Sequence, residues 1–128
     1  MKKFLITFLI TVNVYSQSSN VFKPIDVFDL EYVSNTEISP NGDKILYQRN
    51  YNDIMTDESF SNIWVINFDG SENRPITTGN FKDNSPKWSN KGDKFVFKSN
   101  REGKSQIFLF DLKNNSIQKL TNFQYSIE

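Results

Sequence analysis

The chain has 128 residues, enough for one ordinary domain with an apolar core and too few for two domains of typical size. Its 15 basic and 15 acidic residues cancel, which argues against partners recognised mainly by charge, namely nucleic acid and anionic membrane surfaces. The sequence contains neither Cys nor His. Thiolate metal sites and a complete Ser-His-Asp hydrolase site are therefore excluded within this chain, and we assign no catalytic, metal-binding or cofactor-binding residue.

The first sixteen residues have the pattern of a secretory signal peptide. Two lysines precede a mostly apolar run from Phe4 to Val14, and the small residue Ser16 follows. The alternatives are a membrane anchor and a buried strand, but a spanning helix needs about 20 apolar residues. We predict a signal peptide over 1–16, cleavage before Gln17, and an exported mature chain, periplasmic or secreted, without a membrane span.

Residues 17–36 are predicted to form a linker and a leader that contains a short helix. Ile25, Phe28 and Tyr32 recur at helical spacing. Acidic side chains near the N-terminal end of such a helix suit its dipole. These acidic residues are Asp26, Asp29 and Glu31. A carboxylate pair for acid-base catalysis is the less favoured interpretation of them.

Two parts of the remaining chain repeat one pattern. ISPNGDKILY (38–47) and WSNKGDKFVF (88–97) match at an offset of 50 residues. NIWVINFDGSENRPITTG (62–79) matches QIFLFDLKNNSIQKLTNF (106–123) at an offset of 44 residues. The change of offset means that the connector after Asn50 is longer in the first copy. A period of this length is typical of repeat architectures.

Each copy is predicted to form four antiparallel strands. Ser39-Pro40-Asn41-Gly42, Asp69-Gly70 and Lys113-Asn114-Asn115 contain the residue types of tight turns, so strands should flank them. The runs IWVINF and IFLF are apolar on both faces, so both faces of each sheet should be covered. We predict an all-β fold, a partial β-propeller of about two four-stranded blades. A β-sandwich is the alternative.

The predicted boundaries follow the repeat. The first blade covers 37–79 and includes a long connector over 50–61, the second blade covers 80–123, and 124–128 begin a further blade. Two blades leave one face of each uncovered, so we expect further blades to be needed and the isolated chain to associate or unfold. We expect the open faces to carry large apolar side chains such as Phe95, Phe97, Phe108 and Phe110.

The connector contains three acidic residues and two large apolar residues. Asp53, Asp57 and Glu58 lack the ordered spacing of a calcium-binding loop, so we predict a solvated acidic loop instead. Met55 and Phe60 are expected to anchor this loop. Gating of a substrate by the same two side chains is the alternative.

The remaining candidates are interpreted as turn residues. Ser39, Ser89 and Ser99 lie at predicted strand ends, but a serine nucleophile needs a base to activate it and this chain has no His. Asn114-Asn115-Ser116 matches a glycosylation sequon, and its place in a hairpin loop is explained more simply by turn chemistry.

The blade sequences resemble those of a known group of propellers. ISPNGDKILY, SPKWSNKGDKFVF and the strand ends ITTG and LTNF are similar to the blades of TolB and of the prolyl oligopeptidase group of serine peptidases. The leader and the DIMTDESFSNIW segment resemble the start of secreted dipeptidyl and acylaminoacyl peptidases of that group. The resemblance covers about residues 24–123, although Asn90-Lys91 replace the Pro-Asp that is usual in such blades.

The resemblance implies a propeller of about seven blades followed by an α/β-hydrolase domain. This chain has only about two predicted blades and no Gly-x-Ser-x-Gly elbow. The first hypothesis is therefore the N-terminal propeller fragment of an exported serine peptidase, which restricts peptide access to a hydrolase domain absent from this chain and hydrolyses nothing alone. The alternative is a TolB-like, non-enzymatic propeller of the cell envelope that binds envelope proteins.

Overall fold

The computed structural model describes residues 21–126, so the predicted signal peptide over 1–16 lies outside the described residues. A 3-10 helix, Pro24–Asp29, occupies the leader and is followed by eight strands. The strands are β1 (Tyr32–Ile38), β2 (Lys44–Asp53), β3 (Glu58–Asn67), β4 (Arg74–Pro75), β5 (Asn84–Trp88), β6 (Lys94–Ser99), β7 (Gln106–Asp111) and β8 (Ser116–Lys119). Among residues 21–126, no helix is long and apolar enough to cross a bilayer.

The strands form two antiparallel sheets of four, in the orders β1-β2-β3-β4 and β5-β6-β7-β8. We call the first sheet blade one and the second sheet blade two. The predicted all-β fold with two four-stranded blades is confirmed. The first strand of each blade also shows the same irregularity, because Asn35 and Ser85 have positive φ angles of 47° and 53° where the register shifts.

Serine side chains hold the first turn of each blade. The Ser39 hydroxyl accepts a hydrogen bond from the Lys44 N–H (2.9 Å) and donates one to Asp43 Oδ1 (2.8 Å). Ser89 makes the equivalent contacts in blade two, at 3.3 and 2.9 Å. Because a short hydroxyl can replace a missing backbone partner, serine is well suited to this position in both copies.

The apolar core lies between the two blades. Its members come from β2 and β3 of blade one and from β6 and β7 of blade two. They are Leu46, Ile63, Val65, Phe95, Phe97, Phe108 and Phe110, all at most 4% exposed. The expectation that these four phenylalanines lie on open faces is therefore wrong, since they fill the contact between the blades.

The two blades contact each other through faces that are not equivalent in the repeat. Phe95 and Phe97 of blade two face blade one, whereas their repeat equivalents Ile45 and Tyr47 alternate along β2 with the buried Leu46. Successive side chains of a strand point to opposite faces, so Ile45 and Tyr47 lie on the far side of blade one. The blades are thus stacked head to tail, as consecutive propeller blades are, and not face to equivalent face as in a two-fold sandwich.

The head-to-tail stack leaves one face of each blade without a partner among the described residues. The open face of blade one carries Ile45, Tyr47, Trp64 and Ile66. The open face of blade two carries Val96, Lys98, Ile107 and Leu109. All eight side chains are half-buried by their neighbours within the same sheet.

Two predicted boundaries differ from the structure. Strand β1 begins at Tyr32, inside the predicted leader over 17–36. Strands β2 and β3 continue through most of the predicted connector over 50–61, because the ladder extends to the pair Asp53 and Glu58 and leaves a turn over 54–57. Backbone hydrogen bonds of an antiparallel pair do not require apolar side chains, so polar residues can extend a hairpin beyond the core.

Candidate functional site at the junction of the two blades

The junction lies at the edge of the stack where the chain crosses from β4 to β5. Ser61 of β3 anchors this crossing: its N–H donates to the Phe81 carbonyl (2.9 Å), and its carbonyl accepts from the Asp83 N–H (2.9 Å). The Ser61 hydroxyl also donates to the Asp83 carbonyl (2.8 Å). The Asn62 amide donates to the Gly79 carbonyl (3.0 Å). The crossing is therefore attached to blade one along residues 79–83.

A polar cleft of about 230 Å³ opens at this edge. Amide, hydroxyl and amino groups provide most of its polar lining. They include Gln48, Asn50, Asn52, Ser59, Lys82 and Asn84. Amides both donate and accept hydrogen bonds, so the cleft presents the functional groups that peptide-like polar ligands require.

The amides at the base of the cleft are fixed by one another. Asn50 accepts from Gln48 Nε2 (2.6 Å) and donates to the Tyr32 carbonyl (3.1 Å) and the Ser34 hydroxyl (2.9 Å). Gln48 Oε1 in turn accepts from Asn35 Nδ2 (2.6 Å). Buried polar groups are stable only when they are hydrogen-bonded, and this network meets that condition while tying β1 to β2.

A buried ion pair holds blade two at the same junction. The fully buried Asp83 accepts a hydrogen bond from Arg101 through Oδ2 (2.8 Å). The Arg101 guanidinium also lies 5.5, 5.2 and 5.3 Å from the ring centroids of Phe81, Phe97 and Phe108. Aromatic faces attract a cation, so one side chain links the crossing, β6 and β7. Among the described residues, Asp83 Oδ1 has no hydrogen-bond partner.

The acidic residues of the β2–β3 hairpin do not converge on one point. Asp53 Oδ1 accepts from the Met55 N–H (2.9 Å), and Asp57 takes a positive φ of 54° that the turn requires. Glu58 pairs with Asp53 only through the backbone ladder. Within residues 21–126, no group of three acidic, His or Cys side chains could hold a metal ion.

The two large apolar residues of the hairpin have different surroundings. Phe60 is 7% exposed and its ring centroid lies 5.9 Å from that of Tyr51. Met55 is 88% exposed at the tip. Phe60 therefore anchors the hairpin, whereas Met55 projects into solvent.

Burial, followed by the charges of Asp53 and Asp83, raises the pKa of the Tyr51 hydroxyl above its usual range.

The acidic residues of the leader are held by separate partners. Asp26 accepts a hydrogen bond from the Lys23 N–H (2.8 Å) at the start of the 3-10 helix. Glu31 forms an ion pair with Arg49, whose guanidinium lies 4.8 Å from the Trp64 ring centroid. Because Asp26 and Glu31 have different partners, the geometry gives no support to a carboxylate pair in the leader.

The third serine, Ser99, is also occupied by local contacts. Its hydroxyl accepts from the Arg101 N–H (3.2 Å) and from Arg101 Nε (3.0 Å). Since the chain contains no His, neither Ser99 nor the turn serines Ser39 and Ser89 can belong to a Ser-His pair within it.

The sequon is part of the β7–β8 turn. The Asn114 N–H and side-chain amide donate to Asp111 (3.1 and 3.0 Å), and Asn115 adopts a positive φ of 49°. A hydrogen bond from Lys94, with a further one from the Asn114 backbone, lowers the pKa of Asp111. These contacts explain the residues at this position as turn chemistry.

Fold and junction together define a pair of consecutive β-propeller blades. Two named relatives share part of the sequence. The chain is 26% identical to the uncharacterized peptidase YuxL of Bacillus subtilis over 103 residues, 80% of the chain and 16% of that protein. It is 30% identical to dipeptidyl-peptidase 5 of Porphyromonas gingivalis over 78 residues, 61% of the chain and 11% of that protein. The chain thus spans less than a fifth of the length of either relative.

Solved structures show the same fold. An acylaminoacyl peptidase of Pyrococcus horikoshii superposes with a TM-score of 0.64 at 19% identity, covering 77% of this chain and 15% of that one. The β-propeller domain of the trilobed protease of Pyrococcus furiosus gives 0.59 at 24% identity, with coverages of 71% and 27%. A TolB structure from Agrobacterium tumefaciens gives 0.59 at 22% identity, with coverages of 76% and 32%.

A scan against models of known protein families finds no match. The relatives and the propeller structures nevertheless confirm the resemblance predicted from the repeat. The chain is similar in sequence to peptidases of the prolyl oligopeptidase group, and its two sheets have the fold of their propeller blades and of TolB.

Proposed function

We propose that this chain supplies the first blades of the propeller of an exported serine peptidase and helps to restrict which peptides reach its hydrolase domain. The observation that carries the proposal is the head-to-tail pair of blades in a chain whose sequence is similar to a peptidase over 80% of its length. A second support is the resemblance of the leader and of the β2–β3 hairpin to the start of such peptidases.

The inner edge of the stack supports a role in peptide access. The blades converge at β1 and β5, where the Trp88 indole N–H donates to the Glu37 carbonyl (3.0 Å) and Lys87 forms an ion pair with Glu37. Propeller blades surround a central channel, and the edges that converge line it. A peptide passing along this channel would meet these charges and, at the end where the chain crosses between blades, the polar cleft.

Export is a separate part of the proposal. It is supported by the order of lysines, apolar residues and a small residue over 1–16. N-terminal sequencing of the secreted or periplasmic material should begin at Gln17. Recovery of a soluble cytoplasmic protein that begins at Met1 would argue against export.

The test of the access role uses the longer protein that the proposal requires. Reading the coding sequence beyond Glu128 should reveal further blades, a Gly-x-Ser-x-Gly elbow and a late His. In that protein, removal of residues 52–59 and closure with a two-residue turn shortens the β2–β3 hairpin. We expect kcat/KM for long peptides to rise relative to that for dipeptide substrates.

A matched control shortens the β3–β4 turn over 68–72, which lies at the opposite end of strand β3. It should leave the ratio of the two kcat/KM values unchanged. An unchanged ratio in the 52–59 variant would contradict the access role.

The alternative, a TolB-like binding propeller without enzymatic activity, is favoured by the likeness to the TolB structure. It predicts that the coding sequence contains blades without a hydrolase domain. In that case the rim would bind envelope proteins, and purified protein would retain such partners during affinity isolation.

A further inference from the structure

The polar cleft at the junction has a wall that only blade one provides. The ladder between β2 and β3 has ten residue pairs, whereas the equivalent ladder between β6 and β7 has six. The extra part of the longer hairpin carries uncharged polar side chains on the face that it shares with the core residues Leu46 and Ile63. These side chains are Asn50, Asn52, Ser59 and Ser61. The wall that faces blade two is therefore polar but not charged.

Of the described residues that line the cleft, Lys82 alone is charged. Its backbone is fixed, because its N–H donates to Asn100 Oδ1 (2.8 Å) and it forms a β-bridge with Ser61. Its side chain is exposed, and no carboxylate among residues 21–126 pairs with its ammonium group. The charge of the adjacent Asp83 is compensated by Arg101. The lining of the cleft thus has a single positive charge.

The amide groups of the lining have hydrogen-bond donors to spare. Each amide oxygen already accepts a hydrogen bond from a neighbouring side chain. By contrast, three amide nitrogens donate only once among the described residues, so each keeps a second hydrogen. These nitrogens belong to Gln48, Asn52 and Asn84. An ionised carboxylate only accepts hydrogen bonds, so it is the complement of a site with one ammonium group and several amide hydrogens.

We propose that this cleft binds the free C-terminal carboxylate of a peptide. Lys82 is its charged partner, and the amides of Asn52 and Asn84 are further donors. The choice of a peptide rests on the proposed function, whereas the preference for an anion rests on the lining of the cleft.

The size and composition of the cleft agree with a terminal residue as the ligand. Its volume of about 230 Å³ lies below the roughly 300–1,000 Å³ of pockets for drug-sized ligands, so it suits one end of a peptide better than a long segment. All lining residues come from the two described blades, so the site does not need a further blade.

The test measures peptide binding to the whole protein in which this chain occurs, with any hydrolase serine blocked by a fluorophosphonate. The probe is a hexapeptide of alanine and glycine that carries a dansyl group at its N-terminus and a free C-terminal carboxylate. The comparison probe is the same peptide with a C-terminal carboxamide. Fluorescence anisotropy should show about tenfold tighter binding of the free acid at low salt, because hydrogen bonds to charged groups are the stronger ones. The preference should decrease as the salt concentration rises.

Substitutions of one exposed side chain assign the preference to the cleft. Lys82→Gln removes the charge and should make the affinities for the acid and the carboxamide equal. Lys82→Arg keeps the charge and should keep most of the preference. Lys91→Gln is the matched control, since Lys91 is exposed in the turn between β5 and β6 and does not line the cleft. It should bind both peptides as the wild type does.

Equal binding of the acid and the carboxamide by the wild type would overturn the proposal. So would a preference that survives in Lys82→Gln, or a Lys82→Arg variant without any preference. A third probe, the carboxamide peptide with one aspartate in its sequence, separates the terminal carboxylate from an acidic side chain. Binding of this probe as tight as that of the free acid would contradict recognition of the terminus.

The binding assay requires no hydrolysis. Its failure is therefore distinct from a failure of the access role, which the 52–59 variant tests through the ratio of kcat/KM values.

Discussion

At the scale of single residues, the most demanding contact is the ion pair of Asp83 and Arg101. Asp83 is fully buried and the Arg101 side chain is 17% exposed, so neither charge is well solvated. Removing one partner of a buried pair leaves an uncompensated charge, whereas replacing both with apolar residues can be close to neutral. The pair therefore matters most as a constraint that fixes how blade two sits on the crossing.

Arg101→Met should lower the free energy of unfolding by about 3–5 kcal/mol, because it leaves the buried Asp83 carboxylate unpaired. Urea denaturation of the full chain measures the change. The double variant Asp83→Leu/Arg101→Met should recover a substantial part of the loss. Lys94→Met, which breaks the more solvent-exposed pair with Asp111, serves as the control and should have a much smaller effect. A similar loss in the single and double variants would contradict the argument.

The turn between β1 and β2, which Ser39 holds, should make the free energy of unfolding depend on pH in the acid range. The hydrogen bond from the Ser39 hydroxyl is the main cause that lowers the pKa of Asp43 below its ordinary value of 3.8. A group with a lowered pKa in the folded state contributes stability above pH 3.8, and that contribution is lost as the pH falls through the folded-state pKa. In Ser39→Ala, the pKa of Asp43 should rise and the acid end of the stability curve should flatten.

Carbon-13 NMR titration of the Asp43 carboxyl measures this pKa directly. Ser71→Ala is the matched control, since the Ser71 hydroxyl is the main cause that lowers the pKa of Asp69 in another turn. It should move the pKa of Asp69 and leave that of Asp43 in place. No change at Asp43 in Ser39→Ala would disprove the assigned cause.

At the scale of strands, each blade secures its third strand with a threonine. The Thr77 hydroxyl accepts from the Ile63 N–H (2.9 Å), and the Thr121 hydroxyl accepts from the Ile107 N–H (3.0 Å). These positions correspond at the offset of 44 residues. Strand β4 has only two residues, so the threonine supplies a contact that a longer edge strand would provide through its backbone.

Thr77→Val should lower the free energy of unfolding by about 1–3 kcal/mol, because Thr77 is buried and its loss leaves the Ile63 N–H unpaired. Hydrogen exchange at the Ile63 amide should accelerate. The neighbouring Thr78 is exposed, and Thr78→Val should change neither quantity. Unaltered exchange at Ile63 in the Thr77 variant would show that the hydroxyl is not its partner in solution.

The sequence predicts strands well where turn chemistry marks their ends. Each predicted turn lies between two strands, as its residue types indicate. The turns contain Pro40 and Gly42, Asp69-Gly70, and residues 113–115. The hairpin over 50–61 was harder to predict because its paired residues are polar, and periodicity detects burial and not backbone pairing. The predicted start of the first blade at residue 37 is too late for the same reason, since Tyr32 and Val33 of β1 are exposed.

At the scale of the whole molecule, the sequence predicts the blades but not which faces meet. The strands IWVINF and IFLF are apolar on both sides, so no alternation distinguishes the buried face from the open one. The prediction that the four phenylalanines lie on open faces is wrong for this reason. The Asp83–Arg101 pair is not predicted either, although the repeat contains one signal for it. The equivalent positions of blade one, 50 residues earlier, are Val33 and Tyr51, so both charged residues occur in the second copy alone.

The whole chain should have no serine-hydrolase activity. Acyl transfer requires a base to activate the nucleophile, and this sequence has no His. A fluorophosphonate probe should leave the purified chain unlabelled, while a known serine hydrolase in the same tube is labelled. Stoichiometric labelling of any serine would reveal a different base, such as a lysine.

The central claim is that the two sheets are stacked head to tail as propeller blades, and proton NMR measures it most directly. Nuclear Overhauser contacts should connect the methyl groups of Leu46, Ile63 and Val65 with ring protons of the buried phenylalanines. Contacts from the same methyl groups to those of Val96, Ile107 and Leu109 would instead show equivalent faces packed together, as in a sandwich, and would contradict the account.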